Sequence, residues 1–209
     1  QAIQAGVKRF IFLSSIKVYG EISGQNKFNE KSNTSPQTYY AKAKLSAENK
    51  LIQLSKNSSM SYTIIRPPLV YGPGLKGNLK KLFKLLSYGF PIPVIKDNNL
   101  RSILAIDNLT SFIHECILSE NAKDNIFCLA DEKDISFIEL IKLISKTNRK
   151  SIRLFKINKI LLYLIFKFIR RERAFHSLYS SLRISSDKAK NTLDWKHQIS
   201  TDMAFKKYF

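Results

Sequence analysis

The sequence predicts an α/β fold built on a parallel sheet, and two observations carry that reading. Arg9–Ser14 (RFIFLS) and Tyr62–Arg66 (YTIIR) are short runs dominated by apolar residues, the pattern of strands buried on both faces of a parallel sheet. Between them, Gln37–Leu54 carries apolar residues at helical spacing. Strand, helix and strand in that order form most of a right-handed crossover between parallel neighbours.

Taken in order, residues 1–6 (QAIQAG) read as the last turn of a helix closed by Gly6. The strand over Arg9–Ser14 follows, then a polar loop rich in Gly, Asn and Ser up to Pro36. After the strand over Tyr62–Arg66 comes RPPLVYGPG, whose three prolines and two glycines exclude a helix. Asn78–Tyr88 reads as an amphipathic helix and Arg101–Leu104 as a short strand. Asp107 or Asn108 can cap a helix running to about Ser119, and Asn125–Leu129 reads as another core strand. Ser136–Thr147 is a helix in which Ser136 and Glu139 form a capping box. Lys159–Ile169, Ser185–Leu193 and Thr201–Tyr208 read as closing helices. A chain that opens on a helix tail feeding a buried strand begins in the middle of a unit, since that strand needs parallel neighbours.

The chain has 209 residues, 44% of them apolar, enough for one large or two small domains. No stretch reaches the roughly 20 uninterrupted apolar residues of a membrane span, and the N-terminus lacks the pattern of a signal peptide. Cys116 and Cys128 each lie in an apolar segment and read as buried, reduced thiols of a cytoplasmic protein. The net charge of +19 could attract polyanions. The lysines are scattered rather than striped, however, and no nucleic-acid-binding signature accompanies them, so they read as a solvated surface. His114, His176 and His197 are too far apart for a metal site and read as structural, so no metal ligands are expected. Asp131, Glu132 and Asp134 read as a solvated turn.

The residues that can carry chemistry are Ser15, Tyr40 and Lys44. Tyr40 and Lys44 stand at i and i+4, on one helical face. A tyrosine hydroxyl, with an ordinary pKa near 10, serves as acid or base near neutrality only if a positive charge favours phenolate. A lysine one turn along supplies that charge. Ser15 lies at the C-terminal end of a core strand, where ligands bind in open α/β sheets.

These residues sit in a longer pattern. SSIKVYGE comes first, with 25 residues from Ser15 to Tyr40. PQTYYAKAKLSAE and TIIRPPLVYGPG follow. This order resembles the extended short-chain dehydrogenase/reductase family, also called the NAD-dependent epimerase/dehydratase family. Ala47 and Glu48 after the pair favour Tyr40 over Tyr39 as the active tyrosine. KGNLKKLFKLL, NLRSILAIDNLTSFI and SSDKAKNTLDW resemble later family segments, with Asp194 standing where Gly is common. The resemblance covers essentially the whole chain.

The resemblance implies a Rossmann-like doubly wound parallel sheet with a small mixed C-terminal substrate lobe. Residues 1–72 would belong to the dinucleotide-binding domain and 73–209 mainly to the lobe, with 105–130 returning to the core. NAD or NADP is the implied cofactor and a UDP-sugar the substrate. Tyr40 would pass the hydroxyl proton, Lys44 would bind the nicotinamide ribose and Ser15 would fix the reacting oxygen. Pro67, Leu69 and Val70 would lie against the nicotinamide, with Asn78 and Arg101 against the nucleotide. The closest resemblance is to enzymes acting at sugar C4 of UDP-N-acetylhexosamines in surface-polysaccharide synthesis, reductases or epimerases. Ile16 and Lys17 replace the carboxylate pair a dehydratase would carry. A homodimer through the Tyr-Lys helix is also implied. The family's glycine-rich phosphate-binding turn does not occur here, so about three strand–helix units, roughly 90 residues, are expected to be missing, and the chain alone is not expected to turn over. Two rival readings are a non-catalytic remnant and an anion-binding protein reusing the fold. Lys159–Arg173, apolar then basic, is expected to be a lobe helix packed on the core, with a membrane-surface helix as the alternative.

Overall fold

The computed structural model describes residues 1–74, 84, 88, 91–95, 99–148 and 153–208. Its centre is a parallel sheet of three strands in the order β1-β2-β7: β1 (Arg9–Leu13), β2 (Ser61–Arg66) and β7 (Asn125–Cys128). Helix α1 (Tyr39–Lys56) joins β1 to β2, and α2 (Ile106–Leu118) precedes β7. Successive residues of β2 point to opposite faces. Ile64 packs with Leu51 of α1, whereas Ile65 packs with Phe112 of α2 and Phe127. The two helices therefore cover opposite faces, as in a doubly wound sheet.

Residues 1–7 form hydrogen-bonded turns rather than a helix, closed at Gly6 as expected. Val7 N–H donates to Ala2 O and Gly6 N–H to Ile3 O, a Schellman closure, with Gly6 at φ 71°. At the other end of the chain Asp194 takes the same left-handed position after a helix, φ 48°. The strand β1 departs from expectation. Among the described residues it pairs on one side only, with β2, and Phe10 and Leu13 are exposed. The apolar run is there, but its outer edge and part of its faces are bare.

Beyond β2 the chain builds smaller sheets. β3 (Leu69–Tyr71) pairs in parallel with β6 (Ile103–Ala105), and β5 (Leu100–Arg101) pairs antiparallel with β8 (Ile135–Ser136). β4 (Ile92–Val94) lies parallel to β9 (Leu154–Lys156). Helix α3 (Phe137–Asn148) carries the capping box as read: Glu139 N–H donates to Ser136 Oγ at 3.1 Å and Ser136 N–H to Glu139 Oε2 at 2.8 Å. Helices α4 (Lys159–Phe168), α5 (Glu172–Tyr179), α6 (Asp187–Leu193) and α7 (Thr201–Tyr208) complete the described elements. The lobe core gathers Ile92, Val94, Ile135, Phe137, Ile141, Leu162, Phe175 and Phe205. The helix read over Asn78–Tyr88 falls almost wholly outside the described residues.

Two local readings are corrected. Neither Asp107 nor Asn108 caps α2; Ala105 precedes it without a side-chain cap. Asp107 instead pairs with Lys207 at 2.9 Å and accepts from Tyr208, and the two hydrogen bonds hold its carboxyl below the ordinary value. Asp131 is buried, not solvated. Its carboxylate accepts from Tyr71 Oη (2.8 Å), Ala105 N–H (3.0 Å) and Asn108 Nδ2 (2.8 Å). Burial raises its pKa against the opposing pull of those donors. Asn108 Oδ1 in turn accepts from Gln198 and Ile199 N–H. One carboxylate thus ties β3, β6, α2 and the C-terminal segment together.

Candidate active site

The site forms where β1 ends. Ser14 N–H continues the ladder to Ile65 O, and Ile16 N–H donates to Pro67 O. These two bonds hold the turn Ser14–Val18 against the end of β2. Ser15 is buried and opens a 3₁₀ turn, its Oγ accepting from Lys17 N–H at 3.2 Å. Ser14 Oγ is buried with no hydrogen-bond partner in the structure.

Helix α1 begins beside this turn. Thr38 caps it, accepting from Ala41 N–H at 3.2 Å. Tyr40 stands in its first turn, 54% exposed, and faces the cavity; Tyr39, at 93%, does not line it. One turn along, Lys44 Nζ donates to Leu13 O at 2.8 Å and lies 5.8 Å from the Tyr40 ring centroid.

Ser15 and Tyr40, though not Lys44, border a cavity of about 310 Å³, within the range of small-molecule sites. Ser15, Tyr40, Leu69, Val70 and Arg101 all line it, with Phe137, Leu140 and Leu178 from the lobe on the far wall. Pro67 is buried and does not line it; Pro68 takes that place. Arg101 Nη1 donates to Ser180 O at 2.8 Å. Burial lowers the guanidinium's pKa, while Glu21 acts in the opposite sense. Glu21 itself pairs with Lys17 at 3.1 Å. Asn78 lies outside the described residues. A wider cleft of about 750 Å³ opens by Lys8, Arg9, Lys56 and Met60, at the opposite ends of the strands, and none of the expected site residues lines it. The smaller cavity lies at the C-terminal strand ends, where open α/β sheets bind ligands.

Behind the site is a buried network that the motifs contain but that reading them singly did not reveal. Arg66 donates to both carboxylate oxygens of Glu48, at 3.0 and 2.5 Å, and to Tyr19 Oη at 2.6 Å. Tyr19 Oη lies 3.3 Å from Cys128 Sγ. Burial works against the Arg66 charge, but the Glu48 and Tyr19 contacts outweigh it and hold its pKa above the ordinary arginine value. The Tyr of VYGE, the Glu of SAE and the Arg of IIRPP are thus one cluster bracing β2, α1 and the Ser15 turn. The sequence signal was that all three residues fall inside the motif strings. Gly72 is explained by space: a Cβ there would stand 2.5 Å from Ile106 Cγ2.

The residues at the mouth suit a nicotinamide nucleotide. Lys44 spends one of its three donors on Leu13 O, leaving two for a ribose diol. Leu69 and Val70 offer apolar surface on the cavity lining. Among the described residues no three His, Cys, Asp or Glu side chains converge as metal ligands.

Comparison with known proteins agrees with this geometry. The model of the NAD dependent epimerase/dehydratase family matches residues 1–126. The chain is 36% identical over 209 residues to a UDP-glucose 4-epimerase of Vibrio cholerae, covering 99% of this chain and 63% of that protein. It is 30% identical over 151 residues to the N-acetyl-alpha-D-glucosaminyl-diphospho-ditrans,octacis-undecaprenol 4-epimerase of Escherichia coli O157:H7, covering 70% and 44% respectively. The chain therefore spans less than two thirds of either relative. Among solved structures, the Bacillus cereus UDP-glucuronic acid 4-epimerase in complex with NAD aligns with a TM-score of 0.77 at 18% identity, covering 99% of this chain and 62% of that one. The Thermotoga maritima UDP-glucose 4-epimerase with UDP-glucose gives 0.74 at 21%, covering 98% and 63%. These likenesses establish the Rossmann-like α/β fold.

Proposed function

The chain belongs to the NAD-dependent epimerase/dehydratase family, and from that premise we propose that it supplies the catalytic half of an NAD(P)-dependent enzyme acting at C4 of a UDP-sugar. The observation that carries the reading is that Ser15, Tyr40 and Arg101 line one cavity, with Lys44 one turn behind Tyr40. A bound nicotinamide supplies the electron-pair acceptor and donor for the sugar carbon. The chain's own residues do the rest. Tyr40 takes the proton of the C4 hydroxyl as the carbonyl forms, or returns it in the reverse direction. Lys44, one turn along, holds the nicotinamide ribose with the donors that Leu13 O leaves free. Ser15 holds the reacting oxygen, and Leu69 and Val70 exclude water from the nicotinamide side. Arg101, pinned to the wall through Nη1, has Nε and Nη2 for the diphosphate. In this reading residues 1–72 and 105–130 form the cofactor side and the remainder the substrate side, in a cytoplasmic enzyme of surface-polysaccharide synthesis.

Ile16 and Lys17, standing where a dehydratase would need a carboxylate pair, leave 4-epimerisation and 4-keto reduction as the two chemistries. Both pass one proton between Tyr40 and the C4 oxygen, away from the sugar in the first step of epimerisation and towards it in 4-keto reduction. The test is an assay of UDP-N-acetylglucosamine epimerisation and of UDP-4-keto-6-deoxy-N-acetylglucosamine reduction. It uses the chain completed with a glycine-rich dinucleotide-binding segment. Tyr40→Phe should cut the rate about 10²–10⁴-fold, the size of a lost general acid–base group, with little change in KM. Full activity in Tyr40→Phe would remove the site assignment. A folded, NAD-binding protein inert on both substrates would remove the C4 claim.

A further inference from the structure

Helix α4 packs inward through Leu162, Tyr163 and Phe166, the latter two against Phe175 of α5. This much agrees with a helix of the lobe. Its other side is bare. Ile160, Leu161, Leu164, Ile165, Phe168 and Ile169 are all exposed, Ile160 at 70% and Phe168 at 90%. Spaced i, i+1, i+4, i+5, i+8 and i+9, they form one stripe over about half the helix circumference. Leu154 and Phe155 of β9 are exposed as well. Single exposed apolar side chains are ordinary, but a contiguous ridge of this size marks a surface that binds something.

The charge around the ridge selects the partner. Residues 153–171 contain Arg153, Lys156, Lys159, Lys167, Arg170 and Arg171 and no Asp or Glu. All six cations are exposed. Lys156, Lys167, Arg170 and Arg171 have no acidic partner among the described residues. The helix closes in a Schellman turn, with Arg171 N–H donating to Phe166 O and Arg170 N–H to Lys167 O. Arg170 takes the left-handed position at φ 54°, where glycine is usual. Two exposed arginines therefore follow directly on the exposed Phe168–Ile169 pair. A second copy of this chain would bring the same six cations against themselves. An acidic lipid surface complements both features: the ridge enters the headgroup–acyl boundary and the cations meet phosphates.

We propose that α4 seats this protein on an anionic lipid bilayer, lying in the interface plane with Ile160, Leu164 and Phe168 inserted. No described helix is long and apolar enough to cross a membrane.

The test is sedimentation of the 209-residue chain with vesicles of phosphatidylcholine alone and of phosphatidylcholine with phosphatidylglycerol. Binding is expected to the acidic vesicles only. It should weaken at least tenfold between about 0.1 and 0.5 M NaCl, because the charge part is screened, and at least tenfold in Phe168→Asp. Phe168→Trp should show a blue-shifted emission with acidic vesicles that the parent chain, whose Trp195 is buried, lacks. The inference is overturned if the chain stays in the supernatant with both vesicles. It is equally overturned if Phe168→Asp, folded by circular dichroism, binds as well as the parent, or if the Phe168→Trp emission does not move. A dimer that Phe168→Asp converts to monomer, without vesicle binding, assigns the ridge to a second copy instead. None of these readouts depends on sugar chemistry.

Discussion

Glu48 and Arg66 are charged side chains placed where apolar ones would ordinarily stand, at 1% and 5% side-chain exposure. Their bidentate pairing and the Tyr19 hydroxyl satisfy them. Removing one partner leaves the other buried and unpaired, a change that typically costs about 3–5 kcal/mol. Glu48→Gln is therefore expected to lower Tm by about 6–20 °C, at roughly 2–4 °C per kcal/mol for a chain of this size. The double variant Glu48→Leu/Arg66→Met should recover much of the loss, since it leaves no orphaned charge. A Tm within about 2 °C of the parent for Glu48→Gln would mean that the network braces nothing. Tyr40 and Lys44 belong to a different class. Tyr40 is half exposed and at the cavity, so replacing it should change activity and leave stability nearly untouched.

At the scale of elements, the capping box at the start of α3 is the cleanest case. Ser136→Ala removes one of its two bonds and should cost about 1 kcal/mol. Glu139 adds a pH signature. The backbone hydrogen bond from Ser136 holds its carboxyl below the ordinary value of 4.5. Its contribution is thus present above pH 4.5 and is lost as pH falls through the lowered pKa. The stability gap between the parent and Glu139→Ala, followed by urea unfolding, should be constant near neutrality and shrink below about pH 4.5. A gap unchanged down to pH 3 would contradict this. The box was readable because its four residues are contiguous, and the three strands of the main sheet were readable because each is a local apolar run. The tyrosine–lysine helix was placed within two residues at each end. What the sequence concealed was non-local. Ile92–Val94 finds Leu154–Lys156 about sixty residues later, and Pro93 argues against a strand. Asp107 and Asn108 look like caps until their side chains are seen bonding to the C-terminal segment. Asp131 sits in a run of acids that reads as solvent-facing, and its burial follows only from three donors converging out of β3, β6 and α2.

At the scale of the whole molecule, the cavity needs both the sheet and the lobe. Ser15 and Tyr40 come from one side, Phe137 and Leu178 from the other. The segment after Gly20 helps hold them in register, with Phe28 N–H donating to Arg183 O and Ser185 N–H to Phe28 O. The net charge of +19 is spread over this body, apart from the acid-free stretch around α4. The bare outer edge of β1 has a practical corollary. A row of unpaired backbone donors and acceptors, with Phe10 and Leu13 uncovered beside it, is a template for another chain's strand. Concentrated solutions of the 209-residue chain should therefore scatter more light with time. Phe10→Lys should slow that rise, whereas Phe168→Asp, changing a different face, should not. If so, the storage life of the chain is set by the margin of its central sheet, where the exposed Lys8 stands too near one end to guard the whole strand and Arg9 is turned onto the Cys116 and Ser119 carbonyls.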